Sequence, residues 1–297
     1  MKDSPPPVTV VVPAHNARAF LAEAVESVLA QDFTDYELLI VDDGSTDGTA
    51  EIAGGYRDPR VVVVRRTWEG VVGAANHALD RARGEFVARL DADDVMLPGR
   101  LAAQVAYLRG HAGVVAVGTD YRLFGDSAGR VRMPRSDRAC RQRLLLSSCF
   151  AHSTVMMRRK VLSDNGIRYA PETGGLGEDY ALWCELSAYG AFANLPILGA
   201  AYRVHPAQAS DRRWPELLDS YCAIARAHAA RTGHPALESD ELLALLAPVD
   251  AATPVDSRTV ARAAWHALRR APGIETTRFV AANAARRMRE ARAARRT

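Results

Sequence analysis

Cysteine is scarce in this chain, and its few copies are spaced too irregularly for a metal-binding or redox motif. The four cysteines are Cys140, Cys149, Cys184 and Cys222, and no two of them form a CxxC pair. Such pairs are the usual sequence mark of zinc and thiol-redox sites. We therefore expect reduced, mostly buried thiols in a cytoplasmic protein, because disulfides are rare in that compartment.

Long apolar runs and a strong charge of one sign are also lacking. No stretch of about 18 apolar residues occurs, and residues 1–7 contain no apolar signal core, so we expect neither a spanning segment nor a secretory leader. The net charge is only +3, from 38 basic and 35 acidic residues, which does not favour a nucleic-acid partner. The charge is nevertheless uneven, since residues 286–296 contain six arginines and one glutamate. That segment suits a solvated helix face or peripheral contact with an anionic membrane.

A glycine-rich phosphate loop is missing where a dinucleotide-binding protein would carry one. The first predicted strand, Val8 to Val12, is followed by Pro13-Ala14-His15-Asn16. The GxGxxG and Walker patterns place glycines at this point so that the backbone can approach phosphates closely. The absence excludes a dinucleotide-binding fold and weighs against a phosphoryl or sugar-nucleotide transferase.

What the sequence does contain is an alternation of strand and helix patterns. Apolar residues make up 48% of 297 positions, enough for a sizeable core. Four short β-branched runs alternate with amphipathic helical segments, and the third helix is predicted over Val71 to Arg83 with Gly84 as its C-cap. This order predicts an α/β fold with a parallel, right-handed, doubly wound sheet. The four runs are Val8 to Val12, Glu37 to Val41, Arg60 to Arg65, and Phe86 to Leu90.

The rest of the chain predicts further strands and then only helices. We expect a strand at Val114 to Gly118, a hairpin over residues 121–133, and a short strand at Ala200 to Val204. From about Trp214 onward, Ala, Leu and Arg recur at helical periods and predict four helices. The sequence thus predicts a catalytic α/β unit over residues 1–213 and a helical extension over residues 214–297.

Acidic residues follow two of the predicted strands. Asp91, Asp93 and Asp94 crowd into four positions after the fourth strand, and Asp42-Asp43 follow the second. Ligands of open α/β sheets gather beyond the carboxyl ends of the strands. Adjacent acids that face a phosphate would repel it unless a divalent cation intervenes, and such cations prefer oxygen ligands. A solvated acidic turn or a helix cap is the alternative for each cluster.

A third acidic pair lies further along the chain. Glu178 and Asp179 follow the glycine-rich loop Gly174-Gly175-Leu176-Gly177 and open a predicted helix. Acids in a first helical turn are also stabilised by the helix dipole, so capping is an alternative to chemistry here. His205, at the end of the strand carrying Tyr202-Arg203-Val204, could equally be a structural histidine.

Taken together and in order, these motifs resemble the family-2 glycosyltransferases of the GT-A fold. The resemblance spans about Val8 to Ser210 and combines five elements: the start of the first strand, Asp42-Asp43-Gly44-Ser45, Asp91-Ala92-Asp93-Asp94, Gly177-Glu178-Asp179, and Tyr202-Arg203-Val204-His205. One departure is Ala75-Asn76, where relatives often carry arginine before the asparagine. Because that arginine helps to hold the nucleotide, the departure leaves the donor open.

The resemblance implies roles for individual residues. It implies a general base at Asp179 with Glu178 beside it, and a Mn²⁺ or Mg²⁺ site at Asp93 and Asp91 with His205 as a further ligand. Asp91 could instead bind the ribose. His152 and Arg203 would contact phosphate or acceptor. The nucleotide would be bound by Pro13, His15, Asn16, Asp42, Asp43, Ser45, Asn76 and Asp91.

The function implied is an inverting, metal-dependent glycosyltransferase. It would move a sugar from a nucleotide-sugar donor, most simply a UDP-sugar, to a hydroxyl of a glycan, a lipid-linked glycan or a small molecule. A degenerate nucleotide-sugar-binding module would be expected to lack Asp93 or Asp179, and both are present. A natural-product glycosyltransferase is a further alternative. The helical extension would position the acceptor, contact the inner face of the membrane peripherally, or form a homodimer.

Overall fold

The computed structural model describes residues 4–206, 208, 213–246, 257–270, 272–273 and 276–284. The arginine-rich segment at 286–296 and Ser210, both used above, lie outside the described residues.

The first half of the chain forms the predicted alternation of parallel strands and helices. Strands β3, β2, β1 and β4 lie side by side in that order, and all three pairings are parallel. Every residue of β1, β2 and β4 is buried, which explains why they appear in the sequence as continuous apolar runs. The elements are β1 (Val8–Ala14), α1 (Leu21–Leu29), β2 (Tyr36–Asp43), α2 (Thr49–Gly55), β3 (Val61–Arg66), α3 (Gly70–Arg81) and β4 (Phe86–Arg89).

The second half of the sheet is mixed, whereas the parallel pairing predicted for the first four strands is confirmed. Strand β8 inserts antiparallel between β4 and β6, and β5 pairs antiparallel with β9. The elements are β5 (Val95–Met96), α4 (Arg100–Gly110), β6 (Val114–Gly125), β7 (Gly129–Val131), α5 (Asp137–Leu144), β8 (Met156–Arg158), α6 (Arg159–Asp164), α7 (Glu178–Leu186) and β9 (Ala191–Val204), with 3₁₀ turns at His152–Thr154 and Pro171–Thr173.

Several predicted boundaries shift for identifiable reasons. Strand β9 begins at Ala191, well before the predicted Ala200. It can run through Pro196 because the pairing with β6 skips that residue at an irregularity between Thr119 and Asp120. Helix α3 ends at Arg81 rather than at Gly84. Gly84 instead lies against β1, where a Cβ would come within 2.4 Å of the Thr9 amide nitrogen. The hairpin predicted over residues 121–133 is confirmed, since β6 and β7 pair antiparallel.

The region after residue 213 is helical, as expected from the sequence. It contains α8 (Trp214–Arg231), α9 (Ser239–Leu246), α10 (Ser257–Arg270) and a helix at residues 276–284, here α11. Its apolar residues, such as Leu218, Cys222 and Val280, belong to the same buried cluster as Tyr180 and Trp183. The extension therefore shares one core with the α/β unit. No described helix is long and apolar enough to cross a bilayer.

Candidate active site

The loops that follow β1 and β2 are joined by hydrogen bonds. The Asn16 amide donates to Ser45 Oγ at 3.0 Å, and Asn16 Oδ1 accepts from the Thr46 amide at 2.9 Å. Asn16 adopts a positive φ of 49°, a conformation that asparagine tolerates. His15 Nδ1 lies 2.7 Å from the carbonyl oxygen of Asp43. These bonds join the two loops at one edge of the sheet. The joined loops contain four residues that the resemblance assigns to nucleotide binding: His15, Asn16, Asp43 and Ser45.

The two acids at the end of β2 have different surroundings. Asp43 accepts hydrogen bonds from the amides of Glu69 (3.2 Å) and Gly70 (2.8 Å), so it caps the start of α3. Asp42 accepts from the Ser45 amide at 3.2 Å and shapes its own loop. Both side chains are buried, but of the two only Asp43 lines the large cleft described below.

Trp68 is a residue that the sequence reasoning missed. Its side chain is 66% exposed although it is the largest apolar group in its loop. The ring centroids of Trp68 and His15 lie 6.4 Å apart. The Trp68 backbone packs directly against Gly44, whose φ is 69°. A Cβ at position 44 would lie 2.7 Å from the Trp68 amide nitrogen, so only glycine allows this contact. An isolated tryptophan in a polar loop after β3 was the available signal.

Two clefts meet at the carboxyl ends of the strands. The first cleft has a volume of about 890 Å³ and is lined by Pro13, His15, Asn16, Asp43, Trp68, Asp91, Asp93 and His205, among others. The second cleft has a volume of about 510 Å³ and is lined by Tyr121, Arg143, His152, Glu178, Asp179, Tyr202 and Tyr221, among others. Arg89, Asp91 and Asp93 line both clefts. The acidic segment after β4 is therefore the wall between them.

Asp91 is fixed in position by two neighbours. Its Oδ1 accepts from Arg89 Nε at 3.0 Å and Nη2 at 2.8 Å, and its Oδ2 accepts from Ser153 Oγ at 3.0 Å. Burial raises the pKa of Asp91, but the charge and hydrogen bonds of Arg89, together with His152 and the Ser153 hydroxyl, outweigh burial and hold that pKa below its usual value. Asp91 is therefore a preorganised, ionised hydrogen-bond acceptor.

Asp93 and His205 form a pair suited to a cation. His205 Nε2 lies 3.1 Å from Asp93 Oδ2. Burial, followed by repulsion from Asp91, raises the pKa of Asp93. The negative charge of this carboxylate is therefore not fully compensated by its neighbours, and a cation would stabilise it. The described residues contain no group of three or more His, Cys, Asp or Glu side chains arranged around one metal position. The pair fits an ion that takes its remaining ligands from substrate phosphates and water, as Mg²⁺ commonly does.

Arg203 does not line either cleft and is engaged elsewhere. Its amide donates to Asp94 Oδ1 at 2.8 Å, and its Nε donates to the Asp93 carbonyl at 2.8 Å. The guanidinium lies over the rings of Phe20 and Phe124, at 4.8 and 4.3 Å from their centroids. We therefore assign Arg203 to positioning the acidic segment, in place of the phosphate or acceptor contact expected from the sequence.

Glu178 and Asp179 open α7 at the second cleft. Gly177 precedes them with φ of 74°, and no side chain caps this helix. Burial and the neighbouring Glu178 carboxylate raise the pKa of Asp179 to about 7. Burial also raises the pKa of Glu178, while Arg89 opposes that shift. Asp179 can thus exchange a proton near neutral pH, which a helix cap does not need to do.

His152 lines the second cleft, whereas Asn76 supports it from behind. His152 Nε2 lies 2.8 Å from the Tyr169 hydroxyl, and burial lowers the pKa of His152 to about 3, so the ring is neutral. Asn76 exchanges two hydrogen bonds of 2.9 Å with the backbone of Tyr169. Asn76 is not among the residues that line either cleft, so it holds the Tyr169 segment in place.

This geometry can be compared with known proteins. The family model described as glycosyl transferase family 2 matches residues 9–166, more than half of the chain. The chain belongs to glycosyltransferase family 2. This family-2 glycosyltransferase is 34% identical over 209 residues to the "Putative glycosyltransferase EpsE" of Bacillus subtilis, covering 68% of this chain and 74% of EpsE. It is 29% identical over 216 residues to an Escherichia coli protein, WfaP, covering 71% of this chain and 82% of WfaP. WfaP is named a "UDP-Glc:alpha-D-GlcNAc-diphosphoundecaprenol beta-1,3-glucosyltransferase".

Solved structures show the same GT-A fold. A Staphylococcus aureus TarS fragment in complex with UDP superposes with a TM-score of 0.62 at 19% identity, covering 96% of this chain and 89% of the fragment. The mannosyltransferase PcManGT of Pyrobaculum calidifontis, in complex with GDP-Man and Mn²⁺, has a TM-score of 0.60 at 22% identity, covering 95% of this chain and 81% of PcManGT. In both cases the likeness in fold extends over nearly the whole chain.

Proposed function

We propose that this family-2 glycosyltransferase transfers a sugar from a UDP-sugar to an acceptor hydroxyl with inversion at the anomeric carbon. The observation that carries the proposal is the shared wall between the clefts: a cation-seeking pair, Asp93 and His205, lines the first, and Asp179 lines the second. The donor would occupy the first cleft and the acceptor the second. The reacting centre would then lie at the wall.

In the first cleft, the side chains supply binding and orientation. The uracil would lie against Trp68 and His15 with Asp43 as an acceptor for its ring N–H, and the ribose would bind the fixed carboxylate of Asp91. Asp93 and His205 would hold Mn²⁺ or Mg²⁺ beside the diphosphate. Such an ion, when bound, neutralises charge on the departing nucleoside diphosphate.

In the second cleft, Asp179 would act as the general base. The ionised carboxylate accepts the proton of the acceptor hydroxyl while the hydroxyl oxygen attacks the anomeric carbon from the face opposite the leaving group. A base whose pKa lies near the working pH combines sufficient basicity with a deprotonated population. Glu178 maintains that pKa through repulsion.

The donor and acceptor classes rest on the relatives. WfaP is named for a UDP-glucose donor and a lipid diphosphate-linked acceptor, and TarS structures contain UDP or UDP-GlcNAc. We propose a UDP-sugar donor and a glycan or lipid-linked glycan acceptor for cell-surface synthesis.

The proposed acceptor also accounts for an exposed face of α10. Trp265 is 53% exposed, and the guanidinium of Arg269 lies 4.6 Å from its ring centroid. Tryptophan beside arginine suits the interface of an anionic membrane. We propose peripheral contact there on the cytoplasmic side. Trp265→Ala should lower co-sedimentation with phosphatidylglycerol vesicles, and unchanged co-sedimentation would contradict the contact.

Thermal-shift measurements with nucleoside diphosphates test the proposed donor. UDP with Mn²⁺ should raise the melting temperature more than GDP, ADP or UDP with EDTA, because bound ligands stabilise the folded state. Hydrolysis of the matching UDP-sugars should follow. A preference for GDP or ADP would overturn the UDP assignment, and binding without any turnover of UDP-sugars would favour a binding module.

A further inference from the structure

Arg89 has one nitrogen without a partner in a buried position. The side chain is 3% exposed, and two of its nitrogens donate to Asp91 Oδ1. The third, Nη1, is buried and has no hydrogen-bond partner among the described residues. Buried donors are nearly always paired in folded proteins, so an exception on a cleft wall points to a ligand.

The position of Arg89 narrows where that ligand lies. The residue ends β4 and lines both clefts, so its guanidinium belongs to the wall where the donor sugar would meet the acceptor. On the side of the second cleft, the Arg89 charge acts on Glu178 and Tyr169. Glu178 is only 9% exposed and lines the second cleft, and its carboxylate accepts from its own backbone amide. A carboxylate has about four acceptor positions, so capacity remains for a ligand.

The charges nearby favour a neutral ligand group over an anion. The positive charge of Arg89 is already matched by Asp91, and Asp93, Glu178 and Asp179 add further acids. A second anion at Nη1 would meet this excess of negative charge. A hydroxyl group carries no charge and can both accept a hydrogen bond from a guanidinium and donate one to a carboxylate.

We propose that Arg89 Nη1 and the Glu178 carboxylate bind hydroxyl groups of the sugar being transferred, and that this pair selects the donor sugar. The inference rests on the proposed function, which places the sugar of a UDP-sugar at this wall. It adds a sugar-recognition site beside the cation and nucleotide contacts, with Arg89 shared between the sugar and Asp91. Arg89 is then a binding residue with a specificity role.

The test compares the affinities of UDP and of a UDP-sugar for Arg89→Lys. Lysine keeps a positive charge beside Asp91 but has no Nη1. By isothermal titration calorimetry, the Kd for UDP should rise only by what the looser hold on Asp91 costs the ribose, while the Kd for UDP-glucose, or for UDP-N-acetylglucosamine if that binds the wild type more tightly, should rise about 10- to 100-fold beyond it. Arg158→Lys is the matched control, since Arg158 is a partly buried arginine that donates to the backbone of Val114 and lines neither cleft.

Deoxy analogues of the sugar provide a measurement on the unmodified protein. Removal of the hydroxyl bound by Arg89 should weaken binding to the wild type and have little further effect on Arg89→Lys, because the two changes remove the same contact. Glu178→Gln should show the same non-additivity with one of the analogues. Circular dichroism and melting temperature confirm that each variant is folded.

Other outcomes would overturn the inference and are distinguishable from failure of the proposed function. An equal loss of UDP and UDP-sugar affinity in Arg89→Lys would show that Arg89 acts through Asp91 or the diphosphate and not on the sugar. Unchanged donor affinities with a raised KM for the acceptor would place it on the acceptor. A wild type that binds no UDP or UDP-sugar would refute the proposed donor itself, before any variant is compared.

Discussion

At the scale of single residues, the site is built from acids whose charges are unequally compensated. Asp91 is held ionised by Arg89, whereas burial and acid neighbours raise the pKa values of Asp93 and Asp179. In the proposed mechanism, one acid type would therefore serve as an acceptor for the ribose, a ligand for a cation and a base. The predictions that follow test the base, the cation ligand and the aromatic side chain proposed to bind the nucleotide base.

The first prediction concerns the base. Asp179→Asn should reduce transfer by at least about a hundredfold, since general-base catalysis contributes roughly 10²- to 10⁴-fold, while UDP affinity stays nearly unchanged. A normal transfer rate in the folded variant would show that Asp179 is structural and make Glu178 the base to test.

The wild-type rate should rise with pH through the pKa of about 7 as Asp179 loses its proton. Glu178→Gln should shift that profile to lower pH.

The same carboxyl group makes a prediction about stability. Because its folded-state pKa lies above the unfolded value, the folded state binds more protons and stability falls as pH rises from about 4 towards 7. Asp179→Asn removes this loss. Its melting temperature should equal or exceed that of the wild type at pH 8, with the gain vanishing near pH 4.

The second prediction concerns the cation. EDTA should abolish transfer, and Mn²⁺ or Mg²⁺ should restore it. Asp93→Asn should lose most of the rate while keeping the fold, because removing a charge that Asp91 repels is not destabilising. Asp120→Asn is the contrasting control: Asp120 is buried outside the clefts and paired with Arg130 and Arg135, so that variant should lose stability. Full activity in excess EDTA would refute the metal dependence.

The third prediction concerns Trp68. Stacking of a base on an aromatic side chain is worth roughly 1–3 kcal/mol, so Trp68→Ala should weaken UDP binding at least about fivefold. Trp68→Phe should retain most of the affinity, and Trp265→Ala, which removes another exposed tryptophan, should retain all of it. Calorimetric titration with UDP measures each case. Equal affinities for Trp68→Ala and the wild type would remove Trp68 from the base site.

At the scale of elements, the sequence predicts what a strong local pattern determines. The buried strands β1, β2 and β4 are continuous β-branched or apolar runs, and the acids that follow two of them could be placed at one edge by the parallel-sheet rule. Strand β8 has only three residues, and its antiparallel insertion depends on partners distant in sequence. No local pattern could have predicted it.

Roles that depend on orientation were equally hidden in the sequence. Arg203 follows the expected motif, but its guanidinium packs between Phe20 and Phe124 instead of facing a cleft. The free nitrogen of Arg89 could not be inferred, because it follows from the bonds that the rest of the guanidinium makes with Asp91. Residue types in a motif predicted the kind of site, while tertiary packing decided which of those residues face the clefts.

The fourth prediction belongs to α7, the helix that begins with the two acids. Gly177 has φ of 74°, and a Cβ there would lie 3.1 Å from Ile224 and 3.2 Å from Tyr221. Gly177→Ala should displace the start of α7 and lower transfer sharply with little change in UDP affinity. Gly99→Ala, at another helix start with positive φ of 77° but open space around it, controls for backbone strain alone. Equal losses in both variants would show that strain, and not the contact with α8, matters.

At the scale of the whole molecule, the helical extension is part of the second cleft. Leu217 and Tyr221 of α8 line it, and Phe279 of α11 lies 4.4 Å from the guanidinium of Arg143, which also lines it. The sequence left three roles open for the extension, because its repeating Ala, Leu and Arg pattern says nothing about which neighbour it packs against. Its residues in the second cleft fit the first of these roles, positioning of the acceptor.

The fifth prediction follows from this arrangement. A chain ended after Thr253 lacks α10 and α11 but keeps α8, so it should retain UDP binding and slow hydrolysis of the UDP-sugar if it stays folded. Transfer to the acceptor should fall further than hydrolysis, because Arg143 loses the ring of Phe279. Loss of nucleotide binding in a well-folded truncation would show that the extension belongs to the donor site.

The cap that Asp43 provides for α3 also constrains how this enzyme could change its nucleotide during evolution. The carboxylate proposed to recognise the base accepts the amides of Glu69 and Gly70. A replacement at position 43 without a side-chain acceptor would leave the amides at the start of the helix unpaired. Lineages that drift to a new nucleotide are therefore expected to keep this aspartate and to vary position 68, where an exposed side chain can change without structural consequence.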